Sequence, residues 1–126
     1  MAKKVIYTDD APEPIGPYSQ AIHINGMLFI SGQVSIDPFT GSVIRDGIEA
    51  ETRQVMENLK NILHAAEMDF HNVVKTTIFL KDMYDFPKVN EIYGSYFKEN
   101  PPARETVEVS CLPKNVSVEI SCIAIR

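Results

Sequence analysis

From Ile48 the spacing of apolar residues changes, and that change limits what this chain can fold into. Ile48, Thr52, Val55, Leu59, Ile62, Leu63 and Ala66 step by three and four, which places them on one stripe of a helix. Glu49, Glu51, Arg53, Glu57, Lys60 and Asn61 read as its outer face, and the acidic first turn suits the helix dipole. A helix with one apolar stripe is stable only when that stripe is covered. The segments on either side offer strands to cover it.

Residues 5–8 read as a first strand. Residues 21–24 and 27–30 flank Asn25-Gly26, the strongest short-range signal of a hairpin. Ser31-Gly32-Gln33 interrupts the second arm, and a glycine there predicts a bulge or a close backbone approach. Val34-Ser35-Ile36 resumes the strand, residues 37–41 turn, and residues 42–44 follow. Residues 73–80 are rich in β-branched side chains and read as a central strand. A second helix is capped by Asp82 or Asp85 and carries Pro87 in its tolerated first turn. Phe86, Val89, Tyr93 and Phe97 form its stripe, with Asn90 on the border. Pro101-Pro102 stops it. Two strands close the chain, one opening at Arg104 and one over 117–125, joined through Pro113-Lys114-Asn115.

Strands, helix, strand, helix, strands is the order of an α+β protein: a mixed sheet with two helices on one face. Residues 1–126 are expected to form one domain, long enough to bury roughly two thirds of its unfolded surface. The other sheet face is either solvated or covered by another subunit, and Ile123 and Ile125 favour the subunit.

The net charge of -5 argues against a nucleic-acid partner, since phosphates need a cationic field, and no basic cluster exceeds Lys3-Lys4. The N-terminus lacks the apolar region of a secretory signal, and no apolar run approaches the ~20 residues of a membrane span. Cys111 and Cys122 are too few for a disulfide framework and lack metal-ligand spacing, so reduced thiols in a cytoplasmic protein are expected. None of the common phosphate-loop, dinucleotide, zinc-helix or nucleophile-elbow motifs occurs, and neither cofactor nor metal is expected. His23, His64 and His71 are scattered and read as surface or packing residues.

Two residues stand out. In a strand after Pro102, alternation sends Arg104, Thr106 and Glu108 one way and Ala103, Val107 and Val109 the other. Arg104 is then either a solvated edge residue or a planar fork for a carboxylate. Glu119 sits in the last apolar strand, on the side opposite Val118, Ile120, Cys122 and Ala124. It lies either on a wet face or against a partner. Residues 11–20 hold three prolines, which stiffen the loop around Tyr18. Tyr18, Ser31, Asn90 and Thr106 are the polar side chains left to help.

Residues 15–21 (Ile-Gly-Pro-Tyr-Ser-Gln-Ala), Ile30-Ser31-Gly32-Gln33, Val74-Lys75-Thr76-Thr77, Pro102-Ala103-Arg104, Val107-Glu108-Val109 and Leu112-Pro113-Lys114 together resemble the Rid family, in its RidA branch. The match runs in order along nearly the whole chain. The resemblance implies a chorismate-mutase-like fold and a homotrimer with clefts between subunits. It also implies hydrolysis of reactive 2-imino acids, or their enamine tautomers such as 2-aminoacrylate, to 2-oxo acids and ammonia. Arg104 would bind the substrate carboxylate and Glu119 would orient the attacking water, with Tyr18, Ser31, Gly32, Asn90 and Thr106 lining or shaping the pocket.

The chain departs from the family pattern at Glu105, Thr106, Cys111 and Glu67, where a small residue, cysteine, arginine and glycine are usual. Alternation keeps Glu105 off the face of Arg104. Two other functions fit part of the pattern: a non-catalytic trimeric module that senses a small carboxylate metabolite, and a ribonuclease, which the negative charge disfavours.

Overall fold

The computed structural model describes residues 2–126. Its six strands are β1 (Lys4–Ile6), β2 (Ala21–Ile24), β3 (Met27–Gln33), β4 (Val73–Leu80), β5 (Ala103–Glu108) and β6 (Val118–Ile125). They form one sheet in the order β1-β2-β3-β6-β4-β5. Only β4 and β5 pair in parallel; the other neighbours are antiparallel. Helices α1 (Ile48–Ala65) and α2 (Phe86–Gly94) pack against each other and on one face of the sheet. The α+β architecture read from the period change is the one observed.

The hairpin forms where it was placed. Asn25 (φ 54°) and Gly26 (φ 76°) both take the left-handed conformation that a two-residue turn of matching twist requires. Leu28 and Ile30 of β3, Ile78 and Leu80 of β4, and Ile120 of β6 meet Val55, Leu59, Ile62 and Leu63 of α1 and Val89 of α2 in the core. Each such side chain contributes about 1.5–3 kcal/mol on burial. Among the described residues no helix is long and apolar enough to cross a membrane.

Four expectations are corrected. Residues 34–36 do not resume a strand; they touch residues 42–44 through a single bridge, Ile36 to Val43. The carbonyls of Val34 and Ile36 accept instead from the Asn58 amide, at 3.2 and 3.0 Å. β1 ends at Ile6, because the Thr8 N–H and carbonyl are taken by the Gln20 side chain at 2.8 and 3.0 Å. Glu51 is buried, not on the outer face of α1, and its Oε1 accepts from the Ser117 N–H at 3.0 Å and the Ser35 hydroxyl at 3.4 Å. Asp82 caps the short turn Met83–Asp85 that leads into α2, and Asp85, at the start of the helix, makes no side-chain cap.

The face of the sheet away from the helices carries an apolar row. Val5 pairs with Ile22, Ile22 with Phe29, and Phe29 with Ile123. Phe79 and Val107 continue it on β4 and β5. Val5, Phe29, Val107 and Ile125 are each exposed by 40–56%.

Candidate active site

The first group of candidate residues gathers where the bulge in β3 meets the start of β6. The proline-rich loop reaches this point because Gln20 ties it down. The buried Gln20 amide donates to the carbonyls of Thr8, Ala11 and Pro12 at 3.0, 3.3 and 3.0 Å. Tyr18 is thereby presented half-exposed, its hydroxyl accepting from the Ile15 N–H at 3.4 Å. The Ser31 hydroxyl donates to the Ser19 carbonyl at 2.6 Å, so its work here is to fix the loop to the strand.

The register of β3 against β6 shifts between Ile30 and Gln33, the bulge expected at Gly32. A Cβ on Gly32 would run into the Glu119 carboxylate, so any larger residue would displace that side chain from the place it holds over the glycine. Alternation along β6 buries Val118, Ile120, Cys122 and Ala124 against the helices and turns Glu119 to the other face. Glu119 is partly buried, and desolvation pushes its carboxyl above the usual carboxylate range. Among the described residues nothing hydrogen-bonds that carboxylate. It faces a cleft of about 370 Å³, whose walls include Ile15, Tyr18, Gly32, Ile36, Pro113 and Lys114.

The second group lies on the helix side of the edge strand β5. Arg104 Nη1 donates to Asn90 Oδ1 at 2.6 Å. The guanidinium lies 5.3 Å from the Phe86 ring centroid and 5.1 Å from that of Tyr93. Phe86, Asn90 and Tyr93 step by four and three along α2, so one helix face builds the whole cradle. The buried hydroxyls of Tyr93 and Thr76 lie 2.7 Å apart, which fixes that ring. A second cleft of about 410 Å³ opens here between Asn90, Tyr93, Phe97, Pro101, Pro102 and Arg104. Thr106 follows on the same face, its hydroxyl buried with no hydrogen-bond partner among the described residues.

Glu105 points away from Arg104, as alternation predicts. It accepts from the Thr77 hydroxyl at 2.8 Å and pairs with Lys75 at 3.2 Å, which holds its carboxyl below the usual range. Cys111 is exposed. Among the described residues no three histidine, cysteine or acidic side chains group as a metal would require.

Tyr18, Ser31, Gly32 and Glu119 therefore come together, and so do Arg104 and Asn90, with Thr106 two residues along the same strand face. The two groups lie on opposite faces of the sheet and do not meet within one chain. Sequence reading missed three contributors. Gln20 was legible only as part of a motif, because its partners are backbone carbonyls. Phe86 and Tyr93 were placed in an apolar stripe, although their spacing around Asn90 already put all three side chains on one face.

Comparison with known proteins places these groups in context. The family model described as endoribonuclease L-PSP matches residues 8–126. A RutC family protein of Pyrococcus horikoshii is 55% identical over 124 residues, covering 98% of each chain. The mouse protein named 2-iminobutanoate/2-iminopropanoate deaminase is 49% identical over 126 residues, covering 100% of this chain and 93% of its own. A crystal structure from Yersinia pestis, described as a protein of unknown function of the conserved Rid family, is 50% identical with a TM-score of 0.97, covering 99% of this chain and 100% of its own.

Proposed function

We propose that this chain, which belongs to the Rid family, hydrolyses small 2-imino acids to 2-oxo acids and ammonia. The observation that carries the reading is Glu119: a carboxylate with no hydrogen-bond partner among the described residues, held in a cleft over a glycine, its pKa raised by burial. A carboxylate left free in this way is available to a water and to its proton. Relatives named as deaminases, similar along the full chain, support the same chemistry.

Arg104 receives the substrate carboxylate. Asn90 and the two rings hold the guanidinium plane, and its remaining N–H groups are free for a two-point grip. The imine carbon is already electrophilic, so positioning a water supplies much of the acceleration. Glu119 takes a proton as that water adds to the carbon. With the imine nitrogen protonated from solvent, the product is a carbinolamine. Glu119 returns its proton to that nitrogen, the C–N bond breaks as the hydroxyl proton passes to Glu119 and on to solvent, and ammonia leaves a 2-oxo acid. One imine and one water give one 2-oxo acid and one ammonia.

Because the two groups face opposite sides of the sheet, a complete site needs Arg104 of one copy and Glu119 of another. We assign the site to clefts between the subunits of a homotrimer, in which the apolar row on the open sheet face is also covered. A ribonuclease is not favoured, despite the family's description. Glu13 and Glu119 line the first cleft, with Lys114 as its one cation among the described residues, and a phosphate backbone would be repelled there.

The test is ammonia release from freshly generated 2-iminobutanoate. Charge-assisted bonds contribute about 1.5–3 kcal/mol each, so losing both in Arg104→Ala should lower kcat/KM by roughly 10²–10⁴-fold. Arg104→Lys should be nearly as damaging, since lysine keeps the charge and loses the planar fork. A folded wild-type protein that binds 2-oxobutanoate without accelerating hydrolysis would be a metabolite sensor. A fully active Arg104→Lys would remove the two-point grip.

A further inference from the structure

The turn that walls the Glu119 cleft contains two successive residues in the left-handed conformation, Lys114 (φ 59°) and Asn115 (φ 54°), neither of them glycine. Asparagine visits that conformation readily, but a lysine adopts it only where its surroundings hold it. Three side chains from distant parts of the chain hold this turn and the residues just after it. Lys81 Nζ donates to Asn115 Oδ1 at 3.0 Å. Glu51 Oε1 accepts from the Ser117 N–H at 3.0 Å. Arg45, in the connection between β3 and α1, grips the turn itself: Nη2 donates to the Lys114 carbonyl at 2.6 Å and Nη1 to the Asn115 carbonyl at 3.2 Å.

An exposed arginine usually contributes little, because water competes for its donors. Here the two nitrogens of one plane meet the carbonyls of two consecutive residues, a match that the planar fork makes and a single ammonium does not. Of the three holders, only Arg45 binds the backbone of Lys114, the residue that lines the cleft. Three residues after Asn115, β6 begins at Val118, and Glu119 follows it.

We infer that Arg45 is a positioning residue for the hydrolysis: its guanidinium fixes the Lys114-Asn115 turn, and through it the wall against which Glu119 and its water are aligned. The inference rests on the hydrolytic reading above. Arg45 touches neither substrate nor Glu119. Its effect travels through the backbone of residues 114–118.

The experiment compares wild type, Arg45→Ala and Arg45→Lys as full chains. It measures 2-iminobutanoate hydrolysis, thermal melting, and amide hydrogen exchange over residues 114–117. Small displacements in a site lower rates by up to about 100-fold, so Arg45→Ala should lose roughly ten- to a hundred-fold in kcat/KM, with Arg45→Lys closer to alanine than to wild type. Exchange at residues 114–117 should quicken in both. The decisive readout is a cycle with Glu119→Gln: in that background Arg45→Ala should lower the residual rate by less than about threefold, since the group being aligned is gone. A merely structural arginine would lower both backgrounds equally, and that result overturns the inference. So does wild-type kcat/KM in Arg45→Ala. Should Arg45→Ala fail to fold, Arg45→Gln carries the same cycle. A wild type that releases no ammonia, with faster exchange in Arg45→Ala, would keep the turn clamp and sink both the reaction and Arg45's part in it. An active wild type with unchanged rate and exchange in the variants would sink only the inference.

Discussion

Glu51 and Glu119 are both carboxylates on elements that bury their neighbours, and they end in opposite states. Glu51 accepts from the Ser117 N–H and the Ser35 hydroxyl, whereas Glu119 accepts from nothing among the described residues. Burial raises the folded-state pKa of Glu119, so the native state binds more protons than the unfolded chain as pH rises past the ordinary glutamate value of about 4.3. The sign follows: stability falls as pH rises through that window, and ionised Glu119 weakens the fold at neutral pH. Glu119→Gln should therefore melt no lower than wild type at pH 7 while turnover drops roughly 10²–10⁴-fold. The acid limb of kcat/KM should lie above the ordinary carboxylate range and disappear in the variant. A lower melting temperature, or unchanged turnover, would make Glu119 a structural residue. Alternation along an apolar strand made Glu119 legible. At Glu51 residue type and spacing point opposite ways and spacing wins: it lies three residues after Ile48, on the buried stripe, and its partners are 16 and 66 residues away, beyond the reach of local sequence.

Helix α1 ends without glycine, and Glu67 supplies the left-handed residue instead, at φ 58°. The Met68 N–H closes on the Leu63 carbonyl and the Glu67 N–H on that of His64, both at 2.9 Å, so the reversal is well bonded and the strain falls on one backbone position. A left-handed residue with a Cβ carries about 1–2 kcal/mol, and glycine returns up to about 1 kcal/mol of that through the freedom of the unfolded chain. Glu67→Gly should then stabilise the protein by about 0.5–1 kcal/mol, read as a melting temperature higher by roughly 2–5 °C. A lower one would mean that the Glu67 side chain holds something more than its own turn. At this scale the hairpin, helix α1, the start of α2 and the bulge at Gly32 were legible, because local spacing and turn chemistry decide them; α2 itself ends at Gly94, short of Phe97 and of the prolines expected to stop it. Residues 34–36 were not. Their strand-like composition is overridden by Asn58, which takes their carbonyls from the next layer.

Across the whole molecule, the apolar row from Val5 to Ile123 was foreseen in part, through Ile123 and Ile125, since alternation leaves them without a covering helix. That Arg104 and Glu119 face away from each other was not drawn from the sequence, although both assignments to faces were. The parity of two separate strands has no common origin until the sheet is assembled. The proposed assembly makes this separation measurable. Arg104→Ala and Glu119→Gln chains, denatured and reassembled in equal amounts, should recover about a quarter of wild-type activity, since half of the clefts receive an intact arginine and half of those an intact glutamate. Mixing would restore nothing if both residues served one chain's own site. The same geometry sets a gene-dosage rule. A chain damaged at both positions spoils the cleft on each of its flanks, so where such alleles supply half of the chains, only about a quarter of the activity survives, and inheritance of the defect would be partly dominant.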